Sequence, residues 1–184
     1  MDFDKEQSEI VEYVRALRFP KEKSYKKGEW NKYVGDVTNR VVVESLARHL
    51  PRGCRAIGPG AYVEGISTEF DMLIVRSSIA PAKFTNAYPR VSVLAAVEVK
   101  KTGVLDKKDL AEDRMREHRQ KLVDALKEIP LFYITFHESK RLIATTKKVY
   151  RDNACFMSTG TNYGTVISGE WKRFVELILS VLGK

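Results

Sequence analysis

Two apolar segments in the middle of the chain carry charged residues within a pattern that otherwise predicts buried β-strands. The first covers residues 68–76 and contains Asp71, and the second covers 92–100 and contains Glu98 and Lys100. Their aliphatic and β-branched composition is typical of strands that are covered on both faces. A carboxylate in such a strand loses hydration, which costs free energy unless a partner compensates it. The three charged groups are therefore candidates for one shared site that binds a divalent cation.

The residues before these strands predict two helices. Apolar residues at helical spacing indicate a short helix over about 6–18 and a second helix that ends at Leu50. The second helix is expected to begin near Asp36 or Thr38, because either side chain can serve as an N-cap. The lysine-rich residues 20–32 predict a loop or a mobile arm between the two helices.

The rest of the chain predicts alternating strands and helices. The remaining elements are a glycine-broken strand or pair of strands over 55–65, a loop over 77–91, a long helix over 106–129, a strand over 131–136 and a short strand over 163–167. Residues 141–150 fit a strand and the start of a helix equally well, and Ser168 is expected to cap a final amphipathic helix. This order predicts an α/β domain with a mixed central β-sheet flanked by helices on both faces.

Composition narrows the class of protein. The 184 residues are 43% hydrophobic, which is enough for one domain with a core and argues against disorder. The net charge of +8 favours a polyanionic partner, usually nucleic acid, although a merely soluble basic protein fits it equally well. Cys54 and Cys155 lack the spacing of a zinc site and fit a reducing compartment. The acidic N-terminus is unlike a signal peptide and no apolar run is long enough for a membrane helix, so we expect a cytoplasmic protein without membrane contact.

The spacing of the charged residues indicates how they could act together. Side chains two apart on a strand share a face, so a hairpin across the 77–91 loop can bring Asp71, Glu98 and Lys100 into one cleft. Two carboxylates there would hold Mg²⁺, and Lys100 could orient water or neutralise a phosphate. Glu44, on the second helix, could complete the metal shell or bind a second ion. The alternative for the three central groups is a structural ion pair between strands.

Glu44 on a helix, Asp71 on a strand and Glu98-Val99-Lys100 on the next strand resemble the PD-(D/E)xK, or restriction-endonuclease-like, nuclease superfamily. One departure is that Phe70, rather than proline, precedes Asp71. The resemblance implies a restriction-endonuclease-like core with the order α-β-β-β-α-β. It places this core at about 36–136 of a single domain spanning 1–184. An N-terminal helix and basic loop (1–35) and a C-terminal strand and helix (137–184) would be additions.

The resemblance also implies an activity and a site. It implies a Mg²⁺- or Mn²⁺-dependent endonuclease that hydrolyses phosphodiester bonds of DNA with a metal-activated water, in prokaryotic defence or restriction. Asp71, Glu98 and Glu44 would bind the metal, and Lys100 would complete the catalytic set. One alternative is a structure-selective junction resolvase or repair nuclease, such as a homodimer. Another is an inactive nucleic-acid-binding module of the same fold.

Overall fold

The computed structural model describes residues 2–17, 27–83, 85–101, 111–136, 140–159 and 165–183. The helices in these ranges are α1 (Phe3–Ala16), α2 (Lys27–Ala47), α3 (Ala111–Leu126), α4 (Lys140–Tyr150) and α5 (Glu170–Leu182). The strands are β1 (Cys54–Ile57), β2 (Tyr62–Val63), β3 (Met72–Arg76), β4 (Ala87–Tyr88), β5 (Val93–Lys100), β6 (Leu131–Thr135), β7 (Ala154–Phe156), β8 (Ser158–Thr159) and β9 (Thr165–Val166).

The central sheet has five strands in the order β1-β3-β5-β6-β7. The strands β1, β3 and β5 pair antiparallel, whereas β5, β6 and β7 pair parallel. The predicted hairpin between the two acid-bearing segments is therefore confirmed as β3 and β5, and the sheet is mixed as expected. Two small pairs, β2 with β4 and β8 with β9, lie outside it.

Helices cover both faces of this sheet, so the predicted α/β architecture is confirmed. One apolar cluster joins α1, α2 and α5 to one face, through residues such as Val14, Leu46 and Trp171. The other cluster joins α3 and α4 to the opposite face, through Leu122 and Tyr150. Because β5 is buried on both sides, its run of aliphatic residues follows directly from its central position.

Helix α2 begins nine residues earlier than predicted, at Lys27, and the proposed N-caps at Asp36 and Thr38 are wrong. Both residues lie inside the helix, where the Thr38 hydroxyl donates to the carbonyl of Val34 at 2.7 Å. Val34 and Thr38 are buried against the rest of the protein. Tertiary burial thus extends the helix into a segment whose composition indicated a loop.

The C-terminal third also differs from the prediction. Residues 140–150 form a helix, with Thr146, Val149 and Tyr150 buried at helical spacing, and the strand β7 after it was not predicted. Ser168 does not cap α5, because Gly169 occupies that position and the Ser168 hydroxyl donates to Asp4 at 3.0 Å. Parts of the predicted arm, long helix and last strand, at 20–26, 106–110 and 163–164, lie outside the described residues.

Among the described residues, no helix combines the length and apolar character needed to cross a lipid bilayer.

Candidate active site

The strand β5 determines which way its charged side chains point. Ala95, Val97 and Val99 pack under α1, α2 and α5, whereas Ala96 packs under α3 and α4. Because side chains alternate along a strand, Glu98 and Lys100 share the side of Ala96. Both carry their charge at the carboxyl end of the strand, next to the start of β3.

Lys100 joins the two carboxylates of the predicted site. Its Nζ atom lies 2.8 Å from Oδ2 of Asp71 and 2.9 Å from Oε2 of Glu98. The two carboxylate oxygens are therefore held next to a single cationic atom. The predicted convergence of the three side chains is confirmed, and their catalytic and metal-binding roles stay predictions.

Two further groups fix the orientation of Asp71. The backbone N–H of Val99 donates to Oδ2 of Asp71 at 2.9 Å, and the Asn39 side chain donates to Oδ1 at 3.3 Å. Asn39 is a buried residue of α2, so this hydrogen bond ties the helix to the site. Asp71 is thereby held from the sheet on one side and from α2 on the other.

Glu98 is 4% exposed and sits deeper than Asp71. Burial raises the pKa of its carboxyl, but hydrogen bonds and charges from His118 and Lys100 outweigh burial and leave the pKa below its ordinary value. The His118 Nε2 atom, on α3, lies 3.3 Å from Oε2 of Glu98. Glu98 is therefore ionised at neutral pH despite its burial.

Lys100 is likewise kept in its charged form. Burial lowers the pKa of its ammonium, but the charges of Glu98 and Asp71 outweigh burial and raise the pKa above its usual range. Tyr150 packs nearby against Tyr133, with ring centroids 4.5 Å apart. Burial, and then the charge of Glu98, raise the pKa of Tyr150, so its phenol stays neutral under the site.

The site opens into a cleft of about 860 Å³ between the first half of α2 and the end of β5, which we call the α2 cleft. Residues that line it include Trp30, Lys32, Asn39, Glu69, Asp71, Lys100 and Lys101. Glu98 lies behind Lys100 and is not part of the lining. The cleft thus offers solvent access to one carboxylate and the ammonium group, with the second carboxylate below.

The structure does not bring Glu44 to this site. Glu44 is exposed and lines a separate depression between α1 and α2, together with Tyr13 and Arg48. It follows Asn39 by five residues, which turns it by about 140° around the helix axis. Its proposed metal role has no support from this placement. Glu69 does line the α2 cleft, where it accepts a hydrogen bond from Tyr62 at 3.1 Å.

Neither Asn39 nor His118 was assigned to the site from the sequence. Asn39 had a local signal, because it interrupts the apolar positions of α2 that include Val34 and Val42. A polar side chain in a buried stripe needs a partner, and here the partner is Asp71. His118 had no such signal, because it is exposed and its contact with Glu98 crosses from a helix to a strand.

The donor set suits a hard divalent cation. Among the described residues, no group of three or more His, Cys, Asp and Glu side chains is placed to hold a metal ion. Mg²⁺, however, is commonly bound by only one or two carboxylates and keeps several waters. Asp71, which lines the open cleft, and Glu98, which lies behind Lys100, supply two carboxylates, and the ammonium between them occupies a position where positive charge is favoured. These residues fit Mg²⁺ or Mn²⁺ better than a softer metal.

The β3–β5 pair brings Asp71, in the bend just before β3, next to Glu98 and Lys100 at the end of β5. The mixed sheet with helices on both faces matches the predicted restriction-endonuclease-like fold, and the likeness of this chain to NucC from P. aeruginosa confirms that fold. NucC from P. aeruginosa in its cAAA-bound form is similar over 98% of this chain and 89% of its own, with a TM-score of 0.65 and 16% sequence identity. NucC from E. coli, also cAAA-bound, is similar over 74% of this chain and 63% of its own, with a TM-score of 0.49 and 16% identity. No protein-family model matches the sequence, and no curated protein matches it.

Proposed function

We propose that the protein is a metal-dependent endonuclease that hydrolyses phosphodiester bonds of DNA. The observation that carries this proposal is the position of Lys100, within 3 Å of both Asp71 and Glu98 at the inner end of an open cleft. A purely structural ion pair would not need access to solvent. Burying these three charged groups costs free energy, and such costly arrangements are concentrated at functional sites. The restriction-endonuclease-like fold supports the same conclusion.

Each residue has a distinct part in the proposed reaction. Asp71 and Glu98 would hold Mg²⁺ or Mn²⁺, which supplies a water of lowered pKa and stabilises charge on the phosphate oxygens. Lys100, whose pKa is raised by its two carboxylate neighbours, keeps its proton at neutral pH and acts by charge and hydrogen bonding. Asn39 and the Val99 N–H hold Asp71 in position, and His118 and Lys100 keep Glu98 ionised.

The basic character of the chain fits the proposed substrate. Lysines and acids line the α2 cleft in equal number: Lys32, Lys100 and Lys101 with Asp36, Glu69 and Asp71. A divalent cation held by the acids would give this lining a net positive charge toward phosphates. The net charge of +8 extends this attraction to the whole protein. Affinity for DNA should therefore fall steeply as salt is raised, because binding releases condensed counterions.

The first test is cleavage of supercoiled plasmid with Mg²⁺, Mn²⁺ or EDTA. We expect cleavage only with a divalent metal, and a loss of at least about 100-fold in Lys100→Met, as for other groups that stabilise developing charge. Asp71→Asn and Glu98→Gln should lose metal binding in calorimetric titration as well as cleavage. Glu64→Gln, at an exposed acid of the same size, is the matched control and should cleave as wild type. Equal cleavage by wild type and Lys100→Met would refute the proposal.

A role in prokaryotic defence is part of the proposal. Because NucC from P. aeruginosa was solved with cAAA bound, cleavage should be measured with and without cAAA. An increase with cAAA would place this chain among nucleases switched by a nucleotide signal. Cleavage that is fast without cAAA would favour a restriction role.

The same measurements separate the rival functions. Preferential cleavage of branched DNA, together with a dimeric mass, would favour a junction resolvase or repair nuclease. Tight, salt-dependent binding with no cleavage under any metal would favour a nucleic-acid-binding module without turnover.

A further inference from the structure

The first turns of α2 carry an aromatic pair that the proposed chemistry does not use. Trp30 lines the cleft, and Tyr33, one helical turn further along α2, packs beside it with ring centroids 5.3 Å apart. Tyr33 is 53% exposed, and Trp30 is half-buried.

A lysine is interleaved with the pair. Lys32 lies between the two aromatic residues in the sequence and lines the same cleft, whereas Lys101, at the end of β5, donates to the carbonyl of Leu17. Aromatic side chains interleaved with lysines are the combination that binds single-stranded nucleic acid, because rings stack on bases while ammonium groups follow phosphates. An apolar protein partner would not account for the lysine.

The pair also lies within a few nucleotide lengths of Asp71 and Lys100. Trp30 and Asn39 are nine residues apart on α2, which corresponds to about 13.5 Å along the helix axis. Asn39 contacts Asp71 directly. A stacked DNA strand rises roughly 3.4 Å per nucleotide, so this distance along the helix corresponds to about four nucleotides. A substrate strand held at Asp71 and Lys100 therefore reaches the aromatic pair.

The other described aromatic residues near the site are placed differently. Tyr88, in the 77–91 loop, is 3% exposed and packs in the core. Tyr133 and Tyr150 are buried under α3 and α4. The Tyr62 hydroxyl donates to Glu69 at 3.1 Å, but Tyr62 does not line the cleft. Among the described residues that line the α2 cleft, Trp30 is therefore the aromatic side chain that a base would meet.

We propose that Trp30 and Tyr33 form a stacking platform for an unpaired base of the substrate, and that Lys32 holds the adjoining phosphate. This inference rests on the proposed nuclease function and names its substrate class: DNA that is single-stranded, or locally opened, within a few nucleotides of the cut. A continuous duplex keeps its bases stacked on each other, so it presents no free base face to the platform.

Tryptophan fluorescence tests the platform without any cleavage. The chain has two tryptophans, and Trp171 is 0% exposed, so quenching by a stacked base reports on Trp30. The protein is titrated in EDTA with three probes: a short oligothymidylate, an abasic strand of equal length, and a blunt duplex of equal length. We expect strong quenching by the oligothymidylate and little by the other two, because only the first offers unpaired bases.

Variants then measure the contribution of the rings. Binding of labelled oligothymidylate, followed by anisotropy, should weaken about 10- to 100-fold in Trp30→Ala, and Trp30→Phe should recover most of this loss because it keeps a ring. The abasic strand should bind Trp30→Ala and wild type equally. Tyr13→Ala is the matched control, since Tyr13 is 55% exposed but lines the separate depression between α1 and α2.

The outcomes separate this inference from the nuclease proposal. If Lys100→Met abolishes cleavage but Trp30→Ala binds the oligothymidylate as wild type does, the platform is refuted and the nuclease proposal stands. If base-dependent quenching is present but no metal supports cleavage, the platform stands and the nuclease proposal fails. A change of oligomeric mass in Trp30→Phe or Tyr33→Ala, with unchanged binding of all probes, would assign the rings to a contact between copies and refute the platform.

Discussion

Replacing Lys100 by methionine removes a charge from the centre of the candidate site while keeping most of the side-chain volume. The ammonium now lies 2.8 Å from Asp71 and 2.9 Å from Glu98, and the Glu98 side chain is almost fully enclosed. In the variant, Glu98 keeps its burial but loses a counter-charge. We therefore expect Lys100→Met to lower the free energy of unfolding as well as to abolish cleavage.

The size of the effect follows from the two carboxylates. Breaking one partner of a buried ion pair costs about 3–5 kcal/mol when the remaining charge stays buried. Glu98 can limit this cost by taking up a proton, which from an ordinary pKa of about 4.3 costs about 3.7 kcal/mol at pH 7. Asp71 is partly exposed and keeps its bonds to Asn39 and Val99, so it contributes little. We expect a loss of about 3–4 kcal/mol at pH 7, because protonation limits the cost of the buried charge to about 3.7 kcal/mol.

The dependence on pH distinguishes this cause from a packing defect. In the wild type the pKa of Glu98 is lowered, so its ionised form contributes stability above the ordinary glutamate pKa, and this contribution is lost as pH falls through the folded-state pKa. In Lys100→Met, burial still raises the pKa of Glu98, and among the groups that lowered this pKa only His118 remains. We therefore expect the pKa of Glu98 in the variant to be raised. The variant should then lose stability as pH rises through the ordinary glutamate pKa toward that raised value. The deficit should be large at pH 7 and small near pH 4.

Urea unfolding in EDTA, followed by circular dichroism between pH 4 and pH 8, measures this deficit. Lys121→Met is the matched control, because Lys121 is 73% exposed in a surface pair with Glu117 and its loss should change stability by no more than about 0.5 kcal/mol. A deficit that is the same at every pH would mean that lost packing, not an uncompensated carboxylate, causes the effect. No deficit at pH 7 would refute the electrostatic reasoning altogether.

Three further predictions concern positions around the site and the core. Asn39→Ala should reduce cleavage about 10- to 100-fold in plasmid assays without loss of fold, because it removes the group that orients Asp71; unchanged activity would show that the Val99 N–H suffices. Glu44→Gln should cleave and bind metal as wild type does, because Glu44 lines a different depression; a loss of metal binding in this variant would show that Glu44 is a metal ligand. Gln7→Leu should lower the free energy of unfolding by about 2–4 kcal/mol in urea titration, because it removes three hydrogen bonds to the backbone of the C-terminal segment and leaves the buried Trp171 N–H without its acceptor; a loss below about 1 kcal/mol would mean that the segment repairs these bonds itself.

The local hydrophobic pattern of the sequence was sufficient to predict the two strands that position Asp71, Glu98 and Lys100. The segments around Asp71 and Glu98 are aliphatic on both faces, which only a central strand requires, and their shared loop made a hairpin the simplest connection. The same reasoning failed for α2, where residues 27–33 are polar and aromatic and the helix is held by burial of Val34 and Thr38 further along. It failed for β7 as well, because a strand of three residues is defined mainly by its pairing with β6.

What the amino-acid sequence determined by itself was the presence of charged groups in strands that had to be buried, and hence that Asp71, Glu98 and Lys100 needed one another. Desolvation supplies the reason, because a carboxylate in an aliphatic strand is tolerated only beside a compensating charge or hydrogen bond. Only the tertiary structure decided which other residues reach them. Asn39 and His118 come from helices packed on the sheet, and Glu44 is turned away, because the rotation of a helix about its axis is set by the whole buried face and not by any one position.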